Sequence, residues 1–215
     1  MKRLSSIVTK SDVQAHLGDV ELVNSMVHAY AIDLHDEISI ILNSTGSNVV
    51  ASWGLNPHPE KESIRLPYVN FHSVHVKPSF RMAFRKHRAV AALDSFYAWH
   101  KDHGVPFRIR NDNGDPMFVP CVYFQMADDK YACTLITRPS RGILAPITEV
   151  EPLIFTNEET KSWLSDLNVC EAIHLLTSNQ SQRFMKHRAP NQIMVKGYND
   201  RALHTEVSDE LTLFK

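Results

Sequence analysis

Glycine is scarce in this sequence, 7 residues in 215, and nowhere clustered. That excludes a phosphate-cradling loop, which needs several glycines close together to bring backbone N–H groups onto an anion. Cysteine is scarcer still. Cys121, Cys133 and Cys170 are an odd count at wide spacings, giving neither a disulfide framework nor a zinc knuckle. Reduced thiols in a cytoplasmic, reducing compartment are the expectation. The formal net charge is −1, so the basic excess of a dedicated duplex-DNA binder is missing. Any contact with nucleic acid has to come from a local patch. No apolar run approaches the roughly 18 residues of a membrane-spanning helix. The basic start MKRLSSIVTK is not followed by an apolar stretch of signal-peptide length, so no membrane partner is expected. No Pro/Gly/Ser-rich linker divides the chain, and residues 1–215 read as a single domain whose 43% hydrophobic content suffices for one core.

What is present is a mixed set of elements. KSDVQAHLG (10–18) reads as a short helix capped by Ser11, with Val13 and Leu17 four apart and Gly18 at its exit. EISIIL (37–42) and NVVASWGL (48–55) read as strands joined by the turn NSTGS. Pro57 and Pro59 make 56–63 a loop. LPYVNFHSVHV (66–76) reads as extended, with two alternating faces. KPSFRMAFRKHR (77–88) reads as a helix and AVAALDSFYAWH (89–100) as a strand pair or a strand with a bend at Asp94-Ser95. VPFRIR (105–110) and PMFVPCVYFQM (116–126) flank Asn113-Gly114, a hairpin signal. KYACTLITR (130–138) and EPLIF (151–155) are strand-like, 156–167 and 169–178 helical, and NQIMVKGY (191–198) is expected to return to the sheet. Hairpins outnumber strand–helix–strand units. The fold class is therefore α+β, a largely antiparallel sheet or barrel-like β core flanked by helices.

Read in order, these segments resemble a known family. The series is Trp53-Gly54-Leu55 with Pro57 after it, Asn70 on an extended stretch, KPSFRMAFRKHRAV, DSFYAWH (94–100), PFRIRNDNGDPMFVPCVY, CTLITRPSRGILAPI and EPLIFTNEETKSWL. Over about residues 30–205 it is similar to the SRAP family, the SOS response-associated peptidase-like proteins that protect abasic sites in single-stranded DNA. The resemblance implies a cysteine at position 2, exposed by removal of the initiator Met. Its thiol and α-amine together capture the ring-opened abasic aldehyde as a thiazolidine, with a glutamate and a histidine moving protons and an asparagine positioning the site. It also implies a DNA-facing groove at Trp53, Asn70, His72, Thr137 and Arg138, where aromatics stack on bases and cations track phosphates.

This chain departs from that pattern at the chemistry itself. Lys2 follows Met1 where the family has cysteine, and its bulk should keep Met1 in place. Ala98 stands where DSFYAWH would carry the glutamate, and Thr148 where PITEVEP would carry the histidine. Val150 and His72 replace arginines, and only Asn70 remains of the chemical groups. Cys121, Cys133 and Cys170 have no free α-amine and cannot form the ring. Loss of one assisting group costs about 10²–10⁴ in rate. Loss of the nucleophile removes the covalent route.

Other chemistry has thin support. Of the histidine pairs, His72 and His75 would point to opposite faces of a strand, whereas His100 and His103 near a turn could share an ion. No metal site and no small-molecule cofactor are expected. Ser95 and Ser140 lack a Gly-x-Ser-x-Gly turn. Arg81, Arg85, Lys86 and Arg88 form a basic patch that reads first as a solvated helix face. The sequence therefore suggests a catalytically degenerate SRAP-like protein. It would act as a non-covalent binding module for single-stranded DNA or a protein partner, in the DNA damage response or in counter-defence by a phage or mobile element. The alternative is a divergent enzyme that meets the abasic aldehyde with an amine, Lys2 or the N-terminus, in place of a thiol.

Overall fold

A computed structural model describes residues 1–18, 20–56, 65–180 and 183–207. Its strands are β1 (Arg3–Ser6), β2 (Ala29–Ile32), β3 (Glu37–Leu42), β4 (Asn48–Trp53), β5 (Tyr68–Asn70), β6 (Arg88–Leu93), β7 (Ser95–Trp99), β8 (Pro106–Asn111), β9 (Met117–Gln125), β10 (Tyr131–Pro139), β11 (Val150–Pro152) and β12 (Phe184–Arg188). The α-helices are α1 (Lys10–Leu17), α2 (Arg81–Lys86), α3 (Asn157–Leu164) and α4 (Val169–Ser178). The expected α+β class with largely antiparallel pairing is what the chain adopts. No helix among the described residues is long and apolar enough to cross a membrane.

The larger sheet runs β11-β10-β4-β3-β6-β9, and β9 also pairs with β10. That extra pairing closes β3, β4, β6, β9 and β10 into a ring, which removes the open edges of the central strands. β9 explains why. Met117 to Tyr123 are buried without interruption, and a strand apolar on both faces needs cover on both. On one side lies a cluster that includes Ile38, Ile40, Trp53, Ala91, Val119 and Leu135. On the other, Ile41, Val90, Val122 and Ile136 pack with Phe84, Trp163 and Leu176 from the helices. The smaller sheet, β12-β8-β7-β1-β2, lends Leu4, Phe96, Ala98 and Ile109 to the first cluster.

The bend expected at Asp94-Ser95 is the point where the chain passes from ring to smaller sheet. Asp94 ties that corner. It accepts from Ser5 Oγ at 2.8 Å, Ile7 N at 2.9 Å, Ser95 Oγ at 2.7 Å and Arg108 Nη2 at 2.9 Å. Burial alone would raise its pKa, but His204 and the Ser95 and Arg108 hydrogen bonds together hold it below the ordinary carboxylate value. Burial likewise pushes the His204 pKa down to about 4, against the opposing pull of the Asp94 carboxylate.

Several sequence expectations are corrected. α1 is capped by Thr9 rather than Ser11, because Thr9 and Asp12 form a reciprocal capping box. Residues 66–76 are extended only at Tyr68–Asn70. There the Asn70 Oδ1 accepts from His72 N at 2.9 Å, and Ser73 and Val74 donate backbone N–H to Asn70 O, so the chain turns. α2 accordingly starts at Arg81. Asn113-Gly114 is a turn, with φ 82° at Gly114, but not a hairpin: β8 pairs with β7 and β12, and β9 with β6 and β10. The sheet position expected of 191–198 is taken by Phe184–Arg188, since Pro190 ends the strand and Asn191–Met194 form a 3-10 turn. The loop expected at 56–63 lies outside the described residues except for Asn56.

One buried cation couples ring and helices. Arg88, 1% exposed, donates through Nη1 to Phe84 O and Arg85 O and through Nη2 to Ser165 O and Leu167 O. Its guanidinium also lies 5.6 Å from the Trp163 ring. These carbonyls lie at or just beyond the C-terminal ends of α2 and α3, where helices run out of internal donors. Arg88→Ala is expected to lower the unfolding free energy by about 3 kcal/mol or more, measured by urea denaturation. Arg88→Lys should restore little of it, because an ammonium cannot fork across two helix ends.

Candidate functional site

The site is built on the first residues of β1. Arg3 pairs with Tyr97, yet Lys2 N also donates to Tyr97 O at 2.9 Å. Tyr97 therefore faces Arg3 and also accepts from Lys2, the residue just before β1. Met1 enters the cluster that holds Ala98, Trp53, Leu144 and Ile147. The Lys2 side chain stays exposed, its Nζ 5.2 Å from the Trp99 ring. Arg3 anchors the strand with Nε 2.5 Å from Asp33 Oδ1 and with Nη1 donating to Ile193 O and Val195 O.

At the inner end of this strand the Met1 α-amine donates to Thr148 Oγ1 at 2.7 Å, and Thr148 Oγ1 donates onward to Val150 O at 3.0 Å. Burial is the main cause that lowers the amine pKa from 8.0 to about 6; Lys2 pushes it the same way and Glu149 opposes. The amine is thus mostly neutral at pH 7, with a lone pair to offer. Its hydrogen-bond partner is the threonine hydroxyl, and Ala98 belongs to the same apolar cluster as the Met1 side chain. Met1, Ala98 and Thr148 are 9%, 0% and 6% exposed.

The structure thus joins Met1 to Thr148, buries Ala98 in the cluster that holds Met1, and leaves Lys2 exposed. Asn70, half-buried at the end of β5, spends its Oδ1 on His72 N, while its Nδ2 makes no hydrogen bond among the described residues. His72 is exposed, its ring 3.8 Å from that of Phe71. The other positions expected to face DNA are interior. Trp53 is buried and donates Nε1–H to Pro67 O at 3.0 Å. Thr137 is buried and donates to Val69 O. Arg138 is buried, with Nε 2.8 Å from Glu151 Oε1. Of the five, only Asn70 and His72 are placed where a strand could touch them.

The remaining candidates fall into structural places. His100 and His103 stack with ring centroids 3.7 Å apart, and no group of three or more metal-ligating side chains converges among the described residues. Burial, with Cys133 alongside, pushes the Cys121 thiol well above its ordinary pKa. Ser95 is held between Asp94 and Arg108 Nε. Reading by motif missed Glu149, the carboxylate whose field reaches the Met1 amine, because attention fell on the histidine and arginine positions either side of it.

The comparisons with known proteins now decide the family. The family model for SOS response associated peptidase (SRAP) matches residues 2–194. The chain belongs to the SRAP family. It is 26% identical over 152 residues to the abasic site processing protein YoqW of Bacillus subtilis strain 168 and of Bacillus phage SPbeta, covering 65% of this chain and 68% of theirs. The abasic site processing protein YobE of B. subtilis is 26% identical over 152 residues, which is 65% of this chain and 69% of that protein. Among solved structures, a protein from Bacteroides thetaiotaomicron superposes with TM-score 0.78 at 19% identity, covering 97% of this chain and all of its own. A phage-related protein from Bordetella bronchiseptica superposes with TM-score 0.70 at 16% identity, covering 87% and 93%.

Within this SRAP chain the Met1 amine provides a direct readout of the pocket. A pH titration followed by NMR on selectively labelled Met1 is expected to show a midpoint near 6. Lys2→Gln, which keeps a bulky second residue, should move it up, because a repelling charge is removed, and Glu149→Gln should move it down. An unfolded chain takes up the proton near pH 8.0, so stability from the neutral amine is present above that value and is lost as the pH falls toward about 6.

Proposed function

We propose that this SRAP chain is a catalytically degenerate member that holds single-stranded DNA without a covalent bond, in a DNA-damage setting. One observation carries the reading. Where the resemblance places a thiol, a carboxylate and an imidazole, the chain carries Lys2, Ala98 and Thr148, with Lys2 exposed and the other two nearly closed to solvent. The relatives named as abasic site processing proteins support the DNA-damage setting, and the SPbeta relative supports a phage or mobile-element context. Binding would rest on Asn70, whose Nδ2 is free to donate, and on exposed His72. Arg81, Arg85 and Lys86 stand exposed nearby in sequence, with no ion pair among the described residues.

A second reading rests on the neutral Met1 amine. Its lone pair would attack the aldehyde carbon of an opened abasic sugar, giving a carbinolamine, and loss of water would leave an imine. Glu149 is the nearby group able to carry a proton.

One experiment separates the two. The protein is mixed with single-stranded oligonucleotides, with and without an abasic site, and run on native and denaturing gels, with cyanoborohydride in a parallel arm. The first reading expects a native shift with either oligonucleotide and no shifted or cleaved band under denaturing conditions. A reductant-trapped band confined to the abasic strand would establish the amine route. A protein that shifts neither oligonucleotide would point to a protein partner and sink both.

A further inference from the structure

The turn after β10 and the start of β12 flank an open cavity of about 360 Å³. Arg141, Ile143 and Glu151 line one side, and Asp112, Arg183 and Phe184 the other. Its charges are unequally committed. Glu151 is spent, accepting from Arg138 Nε at 2.8 Å and from Arg141 N at 3.2 Å. The guanidinium groups of Arg141 and Arg183 are exposed and have no partner among the described residues. Behind Glu151, in the same β10–β11 corner, Arg138 Nη2 and Ser140 Oγ are buried without a hydrogen-bond partner. Native proteins rarely leave such groups unmet, since a buried polar group without a partner is costly. Phe184 is half-buried, packed edge-on against Phe96 with centroids 6.1 Å apart.

We infer that this cavity is a nucleotide-binding subsite, with a phosphate held by Arg141 and Arg183 and a base laid against Phe184. A guanidinium fork matches phosphate oxygens, and an aromatic ring accepts a base face of any sequence. The volume lies at the low end of small-ligand sites, about 300–1,000 Å³, which suits one nucleotide rather than a longer segment. Asp112, with no side-chain partner among the described residues, disfavours a second anion and accepts from a donor-bearing base edge such as that of guanine. The nucleotide is either free or one unit of a strand. The strand case rests on the DNA-binding reading above, and the free case stands without it.

The test uses the full chain and two probes. Deoxyguanosine monophosphate is titrated by NMR, with inorganic phosphate and deoxyguanosine as separate controls. A short single-stranded oligonucleotide is titrated by fluorescence anisotropy. Arg141→Ala and Arg183→Ala, both at exposed side chains, are each expected to weaken the responding probe by about tenfold. Phe184→Leu should do the same once its fold is checked by circular dichroism. Loss confined to the monophosphate assigns a free nucleotide, and loss on the oligonucleotide assigns a strand unit. Phosphate alone binding as tightly as the monophosphate would overturn the base contact and the inference with it. So would a wild type that ignores the monophosphate while all variants bind the oligonucleotide normally; in that case the DNA-binding reading would stand. If no oligonucleotide binds the wild type, that reading fails and monophosphate binding alone decides the subsite.

Discussion

Everything in this fold hangs on the β9–β10 pairing that closes the ring. Without it, β9 would be an open edge strand with seven consecutive buried side chains and nothing to cover one face. With it, the ring carries one apolar cluster toward the smaller sheet and another toward α2, α3 and α4. The helices add little intrinsic stability of their own, being short. They stay because their apolar faces have the ring to pack on and because Arg88 holds the carbonyls where two of them end.

The smaller sheet depends on that ring through one corner. The chain leaves β6, turns at Asp94 and enters β7, and the Asp94 carboxylate gathers Ser5, Ile7, Ser95 and Arg108 around the turn. β1 is thereby fixed against β7, and Met1, just before it, is buried in the cluster that holds Ala98. The character of the pocket follows from these constraints. A buried amine bonded to a hydroxyl loses its proton easily, because burial penalises the ammonium and only the more distant Glu149 offsets it. A pocket of this kind can hold a nucleophile neutral, but it offers neither a thiol nor a close acid–base pair.

Much of the fold was legible along the chain, for reasons visible in particular segments. EISIIL and NVVASW with a turn between them could be little else than a hairpin, and Thr156 with Glu159 is a capping box written in sequence. Asn113-Gly114 shows the limit. The turn is there, but whether its flanking strands pair with one another depends on which partners β6, β7 and β10 offer, and local sequence does not hold that information. Trp53, Thr137 and Arg138 show the same limit for the site: residue type suggested contact with a ligand, and burial in the ring gave them other partners.

The sequence by itself determined the α+β class and the likeness to the SRAP family, because these are properties of residue type and order. Tertiary structure alone decided that Met1 is buried in the cluster holding Ala98 while Lys2 stays exposed. A one-residue slip in a hydrogen-bond register exchanges which side chain enters the core, and only the packed partner strand sets that register.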